Sequence, residues 1–306
     1  MNKYSVVVPV YNSQDTIART VERIHAVFSQ EALNFEIILI NDGSSDNSWQ
    51  FIAELATQYP NVISINLLKN YGQHNANLCG FSQACGDYII TMDDDLQNPP
   101  EEIPKLIKCA HEGYDLVLGK FITKQHSFTR RLGSKLVGWL NRKVFDIDDK
   151  LVLSNFRIIH RSVIERVCQD ESFNPYIPGL LLKYSATQGN VEVKHEPRSI
   201  GVSNYSSSKI LHLVAIILFN YSSIPLRFTA AFGFIITILS FALSIFYFID
   251  ALINGSSIPG WSSLAVMISF FSGFLILLLS IIGEYMIRIL RQFSSHSSYE
   301  IKEIIQ

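Results

Sequence analysis

The chain has 306 residues, with 25 basic and 27 acidic side chains and a formal net charge of −2. This length allows one large or two modest domains, and the near-neutral charge gives no electrostatic case for nucleic acid as a partner. The four cysteines show no Cys-x-x-Cys spacing, which predicts unpaired residues in the hydrophobic core.

Apolar runs alternate with amphipathic segments up to about Tyr205. The pattern predicts strands at 5–10, 35–40, 62–67, 88–92 and 115–119, with a helix after each of the first four. This alternation predicts an α/β fold, with a mostly parallel sheet and helices on both faces. In such sheets, ligands bind beyond the carboxyl ends of the strands.

Three carboxylates, Asp93, Asp94 and Asp95, follow the fourth predicted strand. Burying them together is costly unless a cation neutralises them, and Mg²⁺ or Mn²⁺ with oxygen ligands and phosphates would do so. The alternative is a solvated acidic loop. Polar clusters also follow the other strands, at 9–12, 41–42 and 70–73, and their convergence on one sheet edge weighs against a surface loop.

Polar residues become scarce after about residue 205. Residues 228–249 and 264–282 carry no charge, and each run approaches the ~20 residues of a membrane-spanning helix. Basic residues flank the pair but not the turn between the two runs. We therefore predict a transmembrane hairpin with both termini cytoplasmic, the alternative being two buried core helices. Residues 209–223 are predicted to form an interfacial helix, and the start of the chain shows no signal peptide.

Residues 120–145 contain seven basic side chains with apolar residues interleaved. This pattern predicts a basic amphipathic helix at a membrane surface or an anionic headgroup. A solvated helix that packs on the sheet is an equal alternative. The predicted organisation is therefore a cytoplasmic α/β domain at 1–205, an interfacial helix at 206–226, and two membrane spans (about 228–249 and 264–283) with a cytoplasmic tail within 227–306.

Four motifs, at 8–12, 41–46, 70–73 and 93–101, resemble in order and spacing those of the family 2 glycosyltransferases with a GT-A fold. The branch that acts on polyprenyl phosphates is the most similar, and residues 283–289 resemble the end of the second membrane span in its bacterial members. The resemblance covers nearly the whole chain.

The resemblance also implies a set of site residues. Nucleotide binding would fall to Pro9, Tyr11, Asn12, Asn41, Asp42, Asn70 and Gln73. Catalytic positions would be Asp93, Asp94 and Asp95, with Asp94 near the donor sugar. Mg²⁺ or Mn²⁺ and the diphosphate would bind at Asp93, Asp95 and Gln97. The acceptor phosphate would contact Lys120, Arg130, Arg131, Ser134, Arg157, Arg198 and Ser203.

The chain departs from the family pattern at five positions. Ser13 stands where many members have Glu, and Asp94 stands where Ala or Val is common. Asn155 replaces an Asp that usually precedes the Phe-Arg pair. Asn41 and Lys120 replace a commoner Asp and Arg, and Lys lacks the two-pronged geometry with which Arg grips phosphate. These departures leave the donor sugar and the acceptor contacts open, but not the reaction class.

The implied function is inverting transfer of one sugar from a nucleotide sugar, expected to be UDP-linked, to undecaprenyl phosphate at the cytoplasmic face of a bacterial inner membrane. A homo-oligomer is compatible with this assignment. Three alternatives stay open: a processive polysaccharide synthase, a nucleotidyltransferase of similar fold, and a catalytically silent membrane scaffold. The motifs are most like those of the formamido-arabinose branch, and a hexose such as glucose is an equally open donor.

Overall fold

A computed structural model gives the architecture of the chain. It describes residues 2–121, 138–145, 147, 151–170, 175–196, 260–293 and 298–306, and scattered residues between 214 and 253. The chain divides into two compact units. The first combines Met1–Leu211 with His296–Gln306, and the second is His212–Ser295.

The first unit is built on an eight-stranded mixed sheet in the order β7-β5-β6-β4-β1-β2-β3-β8. Its strands are β1 (Lys3–Val10), β2 (Asn34–Asn41), β3 (Val62–Leu67), β4 (Tyr88–Thr91), β5 (Leu116–Phe121), β6 (Arg157–His160), β7 (Gln188–Val193) and β8 (Ile301–Ile305). The central strands β4, β1, β2 and β3 are parallel, whereas β6 and β8 run antiparallel to their neighbours. The structure therefore confirms the predicted α/β fold and all five predicted strands.

Helices connect the strands and cover both faces of the sheet. They are α1 (Ile17–Gln30), α2 (Ser48–Gln58), α3 (Gln73–Gln83), α4 (Ile103–Ala110), α5 (138–145), α6 (Arg161–Cys168) and α7 (Ile177–Tyr184), and a 3₁₀ turn at Pro100–Glu102 precedes α4. Side chains of β1 alternate between the two faces, so that Val6 and Val8 join the core with α1 and α2. Val7 faces α3, where a Cβ on Gly80 would lie 2.3 Å from Val7 Cγ1. A residue without a side chain at this position lets α3 lie close against the sheet.

The last strand, β8, was not predicted from the sequence. It pairs antiparallel with β3, and Leu68 N–H donates to the carbonyl of Glu300 at 2.9 Å. The hydroxyl groups of Tyr299 and Ser82 are 2.9 Å apart. Residues predicted as a tail after the hydrophobic segments thus include a strand of the same sheet as β1.

The second unit contains the long helix Trp261–Phe293 and a helical segment at 214–219. The second predicted span lies within this long helix, and most of the first, 228–249, falls outside the described residues. In the part of the chain that the structure describes, no helix has the length and apolar character needed to cross a membrane.

All four cysteines are unpaired, as predicted. Cys79 is buried and Cys109 is partly buried, whereas Cys85 and Cys168 are exposed. The prediction of core positions was therefore wrong for Cys85 and Cys168, because the absence of a pairing motif does not determine burial.

Candidate active site

Four polar segments meet at the carboxyl edge of the sheet, each directly after one of the adjacent parallel strands β4, β1, β2 and β3. The chain proceeds from β1 to β2 and β3, and then returns to β4 on the other side of β1. The boundary between β1 and β4 is therefore a topological switch point, where open α/β sheets bind ligands.

The loop after β1 presents Tyr11, whose residue surface is 45% exposed. Asn12 has a left-handed backbone, with φ of 52°. Its side-chain oxygen accepts from Ser45 N–H at 2.8 Å, and its own N–H donates to Ser44 Oγ at 3.0 Å. Pro9 is partly buried in β1. These hydrogen bonds hold the loops after β1 and β2 together. Tyr11 stays exposed, so that its ring can stack on a planar ligand.

Asp42 organises the loop after β3. Its two carboxylate oxygens accept from the N–H groups of Tyr71 at 2.7 Å and Gly72 at 3.0 Å. Burial raises the pKa of Asp42, and these two hydrogen bonds oppose the rise. Asn70 Nδ2 donates to the Asp42 carbonyl at 3.0 Å. The structure therefore places Asp42 and Asn70 at the expected edge, with their polar atoms engaged in loop contacts.

Asn41 is buried beneath this edge. Its Nδ2 donates to Asn66 Oδ1 at 2.8 Å, and its Oδ1 accepts from Ser44 N–H at 3.3 Å. Only 2% of its surface is exposed. These contacts make Asn41 a support for the loop after β2, and they bring no part of it to the open surface of the site.

The acidic loop after β4 carries the expected carboxylates. Asp93 accepts from Gln73 Nε2 at 2.7 Å and from Asn98 Nδ2 at 3.4 Å. Burial raises the pKa of Asp93, and the nearby charge of Asp95 raises it further. Asp95 accepts from Gln97 N–H at 3.1 Å. The acidic loop thus brings Asp93, Asp95 and Gln97 close together, and Gln73, which was expected to bind the nucleotide, contacts Asp93.

Asp94 is bonded to the loop after β1. Its Oδ2 accepts from Tyr11 N–H at 3.1 Å and from Ser13 Oγ at 2.5 Å. Burial raises the pKa of Asp94 to about 7, although these hydrogen bonds oppose the rise. The next residue but one, Leu96, has a φ of 60°, so the backbone of the acidic loop turns sharply after the carboxylates.

The donor set at the end of β4 is compatible with a hard divalent cation. Asp93, Asp95 and Gln97 offer oxygen atoms, and Mg²⁺ commonly uses one or two carboxylates with substrate phosphates. The raised pKa of Asp93 beside Asp95 reflects negative charge that a cation would relieve. No group of three or more His, Cys, Asp or Glu side chains is arranged around a metal position within the described residues.

Arg157 lies beneath the acidic loop with 1% of its surface exposed. Its Nε donates to Thr91 Oγ1 at 3.0 Å, while both terminal amino groups lack a hydrogen-bond partner among the described residues. Burial lowers its pKa to about 10, and the charge of Asp93 opposes this shift. A buried guanidinium whose two terminal amino groups lack a partner among the described residues suits a phosphate or another carboxylate.

His74 and Tyr176 join this cluster, and sequence reasoning assigned neither to the site. Their rings meet edge to face with centroids 5.4 Å apart. Burial, with a contribution from Arg157, lowers the pKa of His74 to about 4, which keeps the imidazole neutral near pH 7. The only sequence signal for His74 was its place directly after Gln73, and Tyr176 carried none.

The expected acceptor residues are only partly described. Arg130, Arg131, Ser134, Arg198 and Ser203 lie outside the described residues, and Lys120 is exposed at the end of β5. In α5, Leu140 is buried and Trp139 is 56% exposed. A Cβ on Gly179 of α7 would lie 2.3 Å from the Phe145 ring. For residues 138–145, this packing favours the second alternative, a helix held against the α/β unit.

The second half of the acidic motif contacts the chain after β7. Gln97 accepts through its carbonyl from Glu196 N–H at 3.0 Å. Glu102 accepts from Lys194 N–H at 3.1 Å, and Arg23 bridges Glu101 and Glu196. Sequence reasoning missed this network because its partners are about 80 to 170 residues apart along the chain.

Comparison with known proteins adds a family and a fold. The family model described as "Glycosyl transferase family 2" matches residues 5–168. The undecaprenyl-phosphate 4-deoxy-4-formamido-L-arabinose transferase of Proteus mirabilis is 34% identical, covering 100% of this chain and 94% of that protein. The protein of the same name from Photorhabdus laumondii is 33% identical, covering 100% and 95%.

Among solved structures, a similar fold occurs in glucosyl-3-phosphoglycerate synthase from Mycobacterium tuberculosis in complex with Mn²⁺ and UDP-glucose. That protein is 17% identical, with a TM-score of 0.50, covering 72% of this chain and 79% of that one. At this identity the likeness supports the GT-A-like α/β fold alone.

Proposed function

The chain belongs to glycosyl transferase family 2 and is a glycosyltransferase, and we propose that it transfers one sugar from a UDP-linked donor to undecaprenyl phosphate with inversion. The observation that carries the proposal is the carboxylate cluster of Asp93 and Asp95 at the switch-point edge of the sheet. The chain aligns over its whole length with transferases that are named for undecaprenyl phosphate, and this supports the proposed acceptor.

On the donor side, the exposed Tyr11 ring stacks on the base, and Asp42 holds the neighbouring loop in place. Asp93, Asp95 and Gln97 would hold Mg²⁺ or Mn²⁺, which would supply Lewis-acid stabilisation of the departing diphosphate. The solved relative described above contains Mn²⁺ and UDP-glucose, which supports a donor of this class. Gln73 fixes the orientation of Asp93 through the 2.7 Å hydrogen bond.

On the acceptor side, an oxygen of the lipid phosphate forms the new bond to the anomeric carbon. The bond from that carbon to the diphosphate breaks on the opposite face, and its electron pair leaves with UDP. A phosphate is already anionic at neutral pH, so this step needs no general base. Asn155, at the position where an Asp is commoner, lowers the pKa of Asp93 and has no carboxylate with which to take a proton.

Arg157 provides the positive charge for the acceptor phosphate. Its pKa of about 10 keeps it protonated near neutral pH, and within the part of the chain that the structure describes its two terminal amino groups have no hydrogen-bond partner. A phosphate that reached them would form charge-assisted hydrogen bonds. Lys120, Arg130, Arg131, Ser134, Arg198 and Ser203 are further proposed contacts of the lipid phosphate.

We further propose that residues 228–249 and 264–283 form a hairpin in the bacterial inner membrane, with the α/β unit on the cytoplasmic side. Large apolar side chains of the second unit are open to their surroundings, including Leu264 at 59%, Ile276 at 65% and Leu279 at 65% exposure. Such surfaces are typical of contact with lipid. Because β1 and β8 belong to one sheet, an even number of crossings must separate them, which supports a two-helix hairpin.

Incubating the purified full-length protein with a panel of UDP-sugars, undecaprenyl phosphate and Mn²⁺ tests the proposal. We expect UDP release that depends on the lipid, and a lipid product that carries one sugar. Including UDP-glucose and the UDP-linked formamido-arabinose donor distinguishes the two open donors. A polymeric product would indicate a processive synthase, and the absence of lipid-dependent UDP release would indicate a nucleotidyltransferase. If no sugar is transferred by any donor, the proposal is wrong.

A further inference from the structure

The Asp94 side chain connects the two loops that border the switch point. One carboxylate oxygen, Oδ2, accepts both the Tyr11 N–H at 3.1 Å and the Ser13 hydroxyl at 2.5 Å. The Asp94 carbonyl accepts from Thr20 Oγ1 at 3.3 Å. Asp94 is therefore fixed by residues of the loop after β1 and of α1, and not by the acidic loop to which it belongs.

The two loops are assigned different parts of the donor. Tyr11, after β1, is the proposed contact of the base, while Asp93 and Asp95, after β4, are the proposed contacts of the metal and diphosphate. β1 and β4 are adjacent in the sheet but are joined through two intervening strands and three helices. The ladder between β1 and β4 fixes where the two loops begin, ending at the pair Val7 and Thr91 and at the hydrogen bond from Met92 N–H to the Val7 carbonyl. Beyond the ladder, the hydrogen bonds of Asp94 form a direct tie between the two loops.

Two further features make the tie specific to this chain. The residue after Tyr11, Asn12, has a φ of 52°, a left-handed conformation that Asn adopts more readily than most residues, and its hydrogen bonds to Ser44 and Ser45 hold it there. Asp94 and Ser13 are also both positions at which the chain departs from the pattern that it resembles. The two departures meet in one hydrogen bond, which indicates that they act together.

We infer that Asp94 is a positioning residue that holds the base-binding and diphosphate-binding loops in register by accepting two hydrogen bonds on one oxygen. This inference rests on the proposed function, and it replaces the expected role of Asp94 near the donor sugar. It predicts that UDP affinity depends on an oxygen acceptor at this position. The negative charge of Asp94 is not required.

Substitution of Asp94 by Asn and by Ala separates these roles. Asn keeps an oxygen that can accept from both donors, whereas Ala removes it. For loss of two hydrogen bonds, we expect Asp94→Ala to weaken UDP binding in the presence of Mn²⁺ by about tenfold or more. Asp94→Asn should stay within roughly threefold of the wild type, and Ser13→Ala, which removes one of the two donors, should fall between them. Isothermal titration of the full-length protein gives these affinities.

Asp115 provides a matched control. Its Oδ2 also accepts from two backbone N–H groups, those of Ala186 and Thr187, at 2.8 and 3.1 Å. It directly precedes β5, at the amino end of that strand, and it is not part of the proposed site. Asp115→Ala should therefore speed amide exchange around residues 186–187 and leave UDP affinity unchanged. This control shows whether losing any pair of hydrogen bonds to a carboxylate weakens UDP binding, or whether only the pair at Asp94 does so.

Hydrogen exchange measures the tie independently of nucleotide binding. Asp94→Ala should speed exchange of the peptide that contains Tyr11, and Asp94→Asn should not. The inference is wrong if Asp94→Ala binds UDP as tightly as the wild type, or if Asp94→Asn loses as much affinity as Asp94→Ala. If the wild-type protein binds no UDP, the proposed function fails, and the exchange comparison still shows whether Asp94 holds the Tyr11 loop.

Discussion

Replacing Arg157 by Met should make the protein more stable and much less active. Burial lowers the pKa of Arg157 from 12.5 to about 10, and at 1.36 kcal/mol per unit this corresponds to about 3 kcal/mol. Because the folded-state pKa is the lower one, the cost of the buried charge is present at every pH below about 10. Met fills a similar volume without a charge, and replacing a buried ion in this way is often stabilising.

The lost hydrogen bond offsets part of this gain. Arg157 Nε donates to Thr91 Oγ1 at 3.0 Å, but the Thr91 hydroxyl still donates to the Asn155 carbonyl at 2.6 Å after the substitution. Loss of the attraction to Asp93 is a second offset. We therefore expect a net gain of about 1–3 kcal/mol, observed as a midpoint several degrees higher in thermal unfolding.

Activity should change in the opposite direction. Each charge-assisted hydrogen bond from the guanidinium to the lipid phosphate contributes about 1.5–3 kcal/mol, so losing two should reduce kcat/KM for undecaprenyl phosphate by roughly two decades or more. Arg157→Lys keeps the charge without the two-pronged geometry and should be intermediate. A radiolabelled transfer assay with varied lipid concentration measures both variants.

Arg161 is the matched control for Arg157. Its terminal NH1 donates to the carbonyls of Ala84 at 2.9 Å and Gly86 at 3.0 Å. Arg161→Met should therefore lower stability and leave lipid-dependent transfer intact. The reasoning about Arg157 is refuted if Arg157→Met unfolds at a lower temperature and transfers sugar at the wild-type rate.

Three further predictions follow from the site and the core. Asp95→Asn should reduce turnover by about three decades because a ligand of the leaving-group cation is lost. Glu54→Gln, on the exposed face of α2, should leave turnover unchanged. Steady-state turnover of both variants at saturating Mn²⁺ tests this prediction. The stability contribution of neutral His74 should be complete above pH 6.5 and lost as the pH falls toward about 4, by up to about 3 kcal/mol. Thermal melts should show a shallower acid dependence for His74→Gln, and equal slopes would contradict the assignment. Gly80→Ala should destabilise by about 1–2 kcal/mol, because its Cβ would lie 2.3 Å from Val7 Cγ1; an unchanged denaturant midpoint would contradict the packing argument.

Sequence periodicity was sufficient to predict the parallel core of the fold. β1, β2, β4 and β5 each contain an uninterrupted apolar run, and β3 has apolar residues broken by Ser64 and Asn66. The carboxyl edge of a parallel sheet collects the polar residues that follow the strands. β8 could not be predicted in this way. It is five residues long and largely exposed, and only pairing with β3 makes it a strand.

The same distinction applies to the site. Asp93 and Asp95 stand in a local motif, so their clustering followed from the sequence. The partners of Asp94, Tyr11 and Ser13, are more than 80 residues away along the chain, and no periodicity indicates which of the three carboxylates turns toward them. The sequence shows only that residue 157 is an arginine. The tertiary packing is needed to show that its terminal amino groups have no hydrogen-bond partner among the described residues.

Mass and anomeric configuration of the lipid product test the central claim most directly. The full-length protein would be incubated with undecaprenyl phosphate, Mn²⁺ and the UDP-sugar that supports the fastest UDP release. We predict one sugar per lipid, joined through the phosphate, with the anomeric configuration opposite to that of the donor, and about three decades less product per unit time from Asp95→Asn. Retention of configuration, or a sugar attached anywhere other than the lipid phosphate, would contradict the account.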